Sequence, residues 1–191
     1  MYSLFIDTHD TDLVIALYKD KKLLDKEIRE SLRNHSDYTM PIIDNIIKRN
    51  NLTVNLINEI LVITGPGSFT GVRIGVTIAK MFAYTLNIPI KQMDSITMYG
   101  ISDINTKKKL VLIHDVKGSY GGVFVNNELN GELFYKSNSE MEEFIKENDI
   151  KNIVENKIDF NKIIEQFDKI QPTLSHLVNP VYVKVIEALK W

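Results

Sequence analysis

The sequence predicts an α/β fold of two similar lobes, each a β-meander followed by helices. Three observations carry this prediction. Each half opens with an apolar run closed by a carboxylate, Leu4-Phe5-Ile6-Asp7 in the first and Leu110-Val111-Leu112-Ile113-His114-Asp115 in the second. Behind each run the same signals recur in order: turn, strand, turn, strand, helix, strand, helix. The charged stretch Thr106-Lys107-Lys108-Lys109 separates the halves as a solvated turn would. An internal structural duplication accounts for all three; a plain α/β sandwich without duplication is the alternative. The expected lobes are residues 1–105 and a reduced second lobe, 106–191.

The first half reads as strands over Tyr2–Asp7, Leu13–Tyr18 and Leu23–Arg29, joined by the polar turns Thr8–Asp12 and Lys19–Lys22. A helix starts near His35, where Asn34 or Ser36 can cap it, and runs to about Asn50. Ile60–Thr64 is a short strand, and a second helix covers Thr70–Leu86. Ile88–Ile90 reads as a brief strand, and Asp94 or Ser95 opens a third helix that ends near Ile104. The second half gives strands over Leu110–Asp115, Gly122–Val125 and Glu132–Tyr135. A helix near Ser139–Glu147, a strand over Asn152–Glu155 and a helix near Phe160–Phe167 follow.

Composition narrows the function classes. The formal net charge of −2 is wrong for a dedicated nucleic-acid binder, although RNA can still be met through a partner. The absence of cysteine excludes disulfides, thiol catalysis and thiolate metal sites. The start, Met1-Tyr2-Ser3-Leu4-Phe5-Ile6-Asp7, lacks the basic and long apolar regions of a signal peptide. No stretch approaches the roughly 18 apolar residues of a membrane span. A cytoplasmic protein away from membranes is expected.

The most informative segment is Gly65-Pro66-Gly67-Ser68-Phe69-Thr70-Gly71-Val72-Arg73-Ile74-Gly75, between a strand and a helix. Backbone N–H groups at such a helix start can receive an anion. Yet Gly71 is followed by Val72-Arg73, not the Lys-Ser/Thr of a Walker loop, and the glycine spacing misses the dinucleotide fingerprint. Ser68 is flanked by Pro66 and Thr70 where a nucleophile elbow needs glycines. By its own chemistry the run Gly65–Gly71 is a rigid strand-to-helix joint, with Thr70 or Ser68 as helix cap.

Both early helices are more apolar than one sheet face requires. On the first, Tyr38/Ile42/Ile46 and Met40/Ile43/Ile47 form two apolar rows at helical spacing. On the second, polar residues are confined to the stripe Arg73, Thr77, Lys80 and Tyr84. One row can cover the sheet and the other needs a partner, either a second copy or a related chain. The expected partner-facing residues are Tyr38, Met40, Ile43, Ile47, Arg73, Ile74, Ile78 and Met81; internal helix–helix packing is the competing reading.

Asp7 and Asp115 close strands, where a carboxylate must meet N–H donors, a cation or water. Asp7, Thr8 and Asp115 are weak candidates for a magnesium–nucleotide site, against a plain turn-bracing role. The four histidines, His9, His35, His114 and His176, include no pair at helical ligand spacing. No catalytic or metal-binding residue is assigned.

Two meander-plus-helix lobes, each opening on a strand that ends in Asp, resemble the actin/Hsp70/sugar-kinase superfamily, with its ribonuclease H-like lobes. The Gly65–Gly75 run followed by Ala79-Lys80 is similar to the signature of the TsaB/YeaZ family. Ile6-Asp7-Thr8, His35-Ser36 with Met40-Pro41-Ile42, and Asp94-Ser95-Ile96 match the same family in order and spacing over roughly the first 100 residues. The resemblance implies a non-catalytic bacterial subunit that pairs with the related TsaD and can form a homodimer. TsaD transfers a threonylcarbamoyl group to the tRNA adenosine beside the anticodon, and the ATPase TsaE joins them; tRNA contact by this chain would be indirect. TsaD's metal-binding His-x-x-x-His pair falls here on His35 and Thr39, with one histidine lost. The family's Asp-Ala-Arg turn is replaced by Asp115-Val116-Lys117, and the tail Asn179-Pro180-Val181-Tyr182-Val183-Lys184 is similar to the family's Pro-x-Tyr-Leu-Arg. No Gly-Gly adenosine cradle precedes a late helix. No cofactor is therefore expected, unless a magnesium nucleotide is held at an interface with partners. The rival function is a small actin-like ATP-dependent phosphotransferase.

Overall fold

The computed structural model describes residues 1–30 and 34–184. β1 (Tyr2–Asp7), β2 (Leu13–Lys19) and β3 (Lys22–Arg29) form an antiparallel meander. Asp20 and Lys21, both at positive φ, make the two-residue turn between β2 and β3, the backbone state whose twist suits a hairpin. β4 (Ile57–Ile63) and β5 (Ile90–Met93) lie on the other side of β1 and run parallel to it, giving the order β3-β2-β1-β4-β5. Parallel neighbours need long crossovers, and α1 (His35–Arg49) and α2 (Phe69–Leu86) provide them.

The second sheet repeats this plan. β6 (Lys108–Asp115), β7 (Gly118–Val125), β8 (Glu128–Leu129) and β9 (Phe134–Ser137) form an antiparallel set in which β8 and β9 both pair with β7. β10 (Ile153–Val154) pairs parallel with β6 on the far side, as β4 does with β1. α4 (Asn138–Glu147) precedes β10 and α5 (Phe160–Lys169) follows it, in the places of α1 and α2. This is a duplicated two-lobed α/β plan. Among the described residues the second sheet has no counterpart of β5.

Alternation along β1 divides the interior, because successive side chains leave opposite faces. Leu4 and Ile6 join the core under α1 and α2. Phe5 faces a second core, shared with α3 (Ser95–Ser102), α5, β6 and β7, which welds the two sheets together. Burying large side chains such as Phe5, Tyr18 and Phe167 contributes roughly 1.5–3 kcal/mol each. Lys109 is also fully buried, its ammonium donating to the Asp103 carbonyl and to Asn127 Oδ1. Among the described residues no helix is long and apolar enough to cross a membrane.

Four expectations change. α1 buries the isoleucines of both rows: Ile42, Ile43, Ile46 and Ile47 all lie in the first core, Ile43 at 1% and Ile47 at 5% exposure, while Tyr38 and Met40 stay exposed. The arc they cover is closed by β2, β3 and α2, so internal packing takes what was expected to face a partner. β7 begins at Gly118 rather than Gly122, because Asp115–Gly118 is a tight hairpin and the absent side chain lets Gly118 pass the Lys136 carbonyl. Asn34 is the N-cap of α1, yet its side chain makes no capping bond. The tail, assigned to the second lobe by the division after residue 105, returns to the first. Thr173 bridges Ile90 on the edge of β5, and Val178 is buried in the first core.

Candidate functional site

Thr8 lies at the point where α2 is launched. Its hydroxyl donates to the Gly71 carbonyl at 2.6 Å and accepts from the Gly75 N–H at 3.1 Å, so it bridges successive turns of α2 from the outside. This approach is possible only because positions 71 and 75 are glycine; a Cβ at either would collide with Thr8. The loop before the helix is tied down equally closely. Ser68 N–H donates to the His9 carbonyl at 2.6 Å, and Ser95 Oγ and N–H donate to the carbonyls of Pro66 and Gly65. Gly65-Pro66 is a cis peptide, and Gly65 adopts a positive φ of 86° that favours glycine. Ser68 caps α2 by accepting from Gly71 N–H, and Asp94 caps α3 by accepting from Thr97 N–H.

Beneath this joint His9 is buried, with Nδ1 2.6 Å from Asp7 Oδ1 and its ring edge-on to Tyr99. Burial alone would lower the His9 pKa. The Asp7 carboxylate outweighs it, with help from Asp10 and Asp12, and the pKa is raised above 6.5. Asp7 and Thr8 therefore sit behind the wall of the cleft, with Asp7 Oδ1 and the Thr8 hydroxyl bonded internally, and do not line it. Of the three weak candidates for a nucleotide site, these two are thus buried behind the cleft wall.

The cleft itself, about 1080 Å³, opens between the β1–β2 turn, the start of α2 and the β6–β7 turn. Asp115 does line it, together with Asp10, Lys117 and Tyr120. Its carboxylate accepts from Lys184 Nζ at 2.8 Å, and this hydrogen bond, against a smaller effect of burial, holds the carboxyl below the usual carboxylate range. His35 also lines the cleft; it is buried, with Nε2 2.7 Å from the Asp10 carbonyl oxygen. Thr39 is buried and donates to the His35 carbonyl at 2.6 Å, a helix-internal bond. Among the described residues no group of three His, Asp or Glu side chains is placed to hold a metal.

A cluster that the sequence did not reveal lies beside the cleft. His114 Nδ1 is 2.9 Å from Ser119 Oγ, and its Nε2 is 2.9 Å from Glu155 Oε1. The residue types match a Ser–His–acid relay, but Ser119 is 3% exposed and does not reach the cleft lining. A nucleophile needs access to its substrate, so these three side chains pin β6, β7 and the end of β10 together.

The exposed face of the first lobe is of another kind. Tyr38 and Met40 on α1, and Phe69, Met81 and Tyr84 on α2, are large apolar side chains open to solvent, Tyr84 at 81%. Ile74 and Ile78 are half-buried between them and the core. Arg73 is exposed, stacks on the Phe69 ring at 3.7 Å and donates from Nε to Tyr182 Oη at 2.8 Å. Of the expected partner-facing residues, six are thus grouped on this surface, and Ile43 and Ile47 are not.

Comparison with known proteins agrees with this layout. The family model described as TsaD, tRNA N6-adenosine threonylcarbamoyltransferase, matches residues 28–117. The tRNA threonylcarbamoyladenosine biosynthesis protein TsaB of Bacillus subtilis is 38% identical over 96 residues, 50% of this chain and 42% of that protein. TsaB of Buchnera aphidicola subsp. Schizaphis graminum is 26% identical over 147 residues, 77% of this chain and 70% of that one. The chain thus matches less than half the length of the Bacillus relative. In fold, the solved structure of YeaZ from Pseudomonas aeruginosa superimposes with a TM-score of 0.78 at 15% identity, covering 95% of this chain and all of that one. Over its first sheet and the helices that follow, the chain is similar in sequence to TsaB proteins, and in fold it is similar to YeaZ.

Proposed function

We propose that this chain is a non-catalytic subunit in the threonylcarbamoyl modification of the tRNA adenosine beside the anticodon, acting as scaffold and activator of a TsaD-like transferase in the cytoplasm. The observation that carries this reading is the apolar face of α1 and α2 around Tyr38, Met40, Ile74, Ile78 and Met81, with α2 mounted on Thr8 and the Gly65–Gly71 loop. Large apolar side chains left exposed on two packed helices are what a protein–protein contact covers. The groups best placed for chemistry, Asp7, Thr8 and Ser119, are buried and bonded internally, which weighs against the phosphotransferase reading. The same face can pair two copies of the chain, and a TsaE-like ATPase would join the complex, with tRNA met only through the partner.

The test is made in cells that depend on this chain for the modification. Replacing Met81 or Ile78 by Asp should deplete threonylcarbamoyladenosine from total tRNA nucleosides while the protein accumulates normally. Undiminished modification in both variants would remove the α2 face from the function. Loss of modification on replacing Asp10 or Lys117, with the α2 face intact, would instead point to chemistry in the cleft.

A further inference from the structure

The tail makes contacts that neither the fold nor the docking face requires. Val178 is fully buried in the first core, its carbonyl accepts from Lys80 Nζ at 2.8 Å, and Val181 N–H donates to the Thr64 carbonyl at 2.7 Å. This end is grafted onto β4 and α2. Tyr182 then packs on Phe69 and accepts from Arg73, still on the first lobe. Two residues later the chain reaches the second lobe. Lys184 donates to Asp115 Oδ2 at 2.8 Å and to Tyr135 Oη at 3.2 Å, and its ammonium lies 4.4 Å from the Tyr135 ring centre. Val181, Tyr182 and Lys184 all line the cleft.

The two ends of this strap differ in strength. The Val178–Val181 end is buried and backbone-bonded. At the other end, Lys184 and Asp115 have side-chain exposures of 37% and 30%, and a pair so open to water is weak and screened by salt. The second core joins α3 and α5 to both sheets and is the fixed connection between the lobes. Lobes welded at one core and tied across the cleft lining by the Lys184–Asp115 pair have the form of a hinge with a latch.

We propose that residues 178–184 are a latch that sets the width of the interlobe cleft, with Lys184–Asp115 as its releasing bond. An anionic group entering the cleft competes for Lys184 and a cation competes for Asp115, and either frees the strap at its weak end. Because Tyr182 is bonded to Arg73, release at Lys184 is felt at the start of α2.

The absence of cysteine makes the test direct. Thr11 and Val116, both exposed and on opposite walls of the cleft, are replaced by Cys in the full chain and spin-labelled, and the label-to-label distance distribution is measured. The parent and Lys184→Arg should give one narrow distribution. Lys184→Ala and Asp115→Asn should each give a broader distribution displaced to longer distance. The parent in about 1 M salt, where the screening length is about 3 Å, should move the same way without any mutation. Distributions unchanged by both substitutions and by salt, or a parent already as broad as Lys184→Ala, would overturn the latch.

Discussion

The β1–β2 turn and the β6–β7 turn occupy equivalent places in the two sheets, and each begins with the aspartate that closes a central strand. Their fates are opposite. Asp7, Thr8 and His9 are buried and hydrogen-bonded to one another's surroundings, and through Thr8 they grip α2. Asp115, Val116 and Lys117 line the cleft, Val116 at 91% exposure, and among the described residues the carboxylate meets Lys184, Tyr135 and its own neighbour's N–H. One turn has become the mount of a helix, and the other has stayed at the surface. Duplication preserves the backbone plan; which copy carries a rigid element is decided by whether the helix behind it is small enough to approach. α2 offers Gly71 and Gly75 to Thr8, whereas α5, its counterpart, presents Phe160, Ile163, Ile164 and Phe167 to the core.

This contrast can be broken most severely at the helix. Gly75→Val places carbon where the Thr8 hydroxyl lies, and overpacking at so tight a contact should destabilise the chain by about 3 kcal/mol in urea unfolding. A loss under about 1 kcal/mol would show that the approach of Thr8 is not constrained. Thr8→Val keeps the shape and removes the bridge, at a cost of about 1–3 kcal/mol for buried groups left without their partner. Asp115→Asn should cost at most about 1 kcal/mol, since its ion pair is partly solvated.

The turns also respond to pH at opposite ends. The His9 pKa is raised in the folded state, so the stability it confers is complete below pH 6.5 and is lost as pH rises through the raised value. For Asp115 the folded pKa is lowered, so its contribution is present above pH 3.8 and is lost as pH falls through the lowered value. Unfolding free energy measured on both sides of neutrality should therefore lose an alkaline-side decline in His9→Asn and keep it in Asp115→Asn. An identical pH profile in parent and His9→Asn would contradict the buried pair.

The first lobe was readable because its signals are local. Alternation and turn residues located β1 to β3, and the Gly65–Gly75 run marked the joint before α2 as rigid. What could not be read is what acts across distance. Nothing near Thr8 indicates that its hydroxyl meets residues 71 and 75, and Asp115 gives no sign of Lys184. Gly118 and Ser119 look like turn residues by composition, yet they are strand residues because β9 passes close to β7. Ile43 and Ile47 of α1 are buried instead of partner-facing for a related reason. Periodicity counts apolar rows, but how many neighbours a helix will have depends on the tertiary fold, and β2, β3 and α2 leave Ile43 and Ile47 no outer side.

That correction separates two substitutions with the same chemistry. Ile43→Asp should unfold the chain by burying an unpaired charge, whereas Met81→Asp, at 47% exposure, should change stability by no more than about 0.5 kcal/mol. The most direct measurement is a calorimetric titration of a purified TsaD-like protein from the same cell with the parent chain, Met81→Asp and Ile74→Asp, each checked for an unchanged melting temperature. The docking face predicts binding by the parent and its loss in Met81→Asp and Ile74→Asp. Equal affinity in all three, with folding intact, would contradict it.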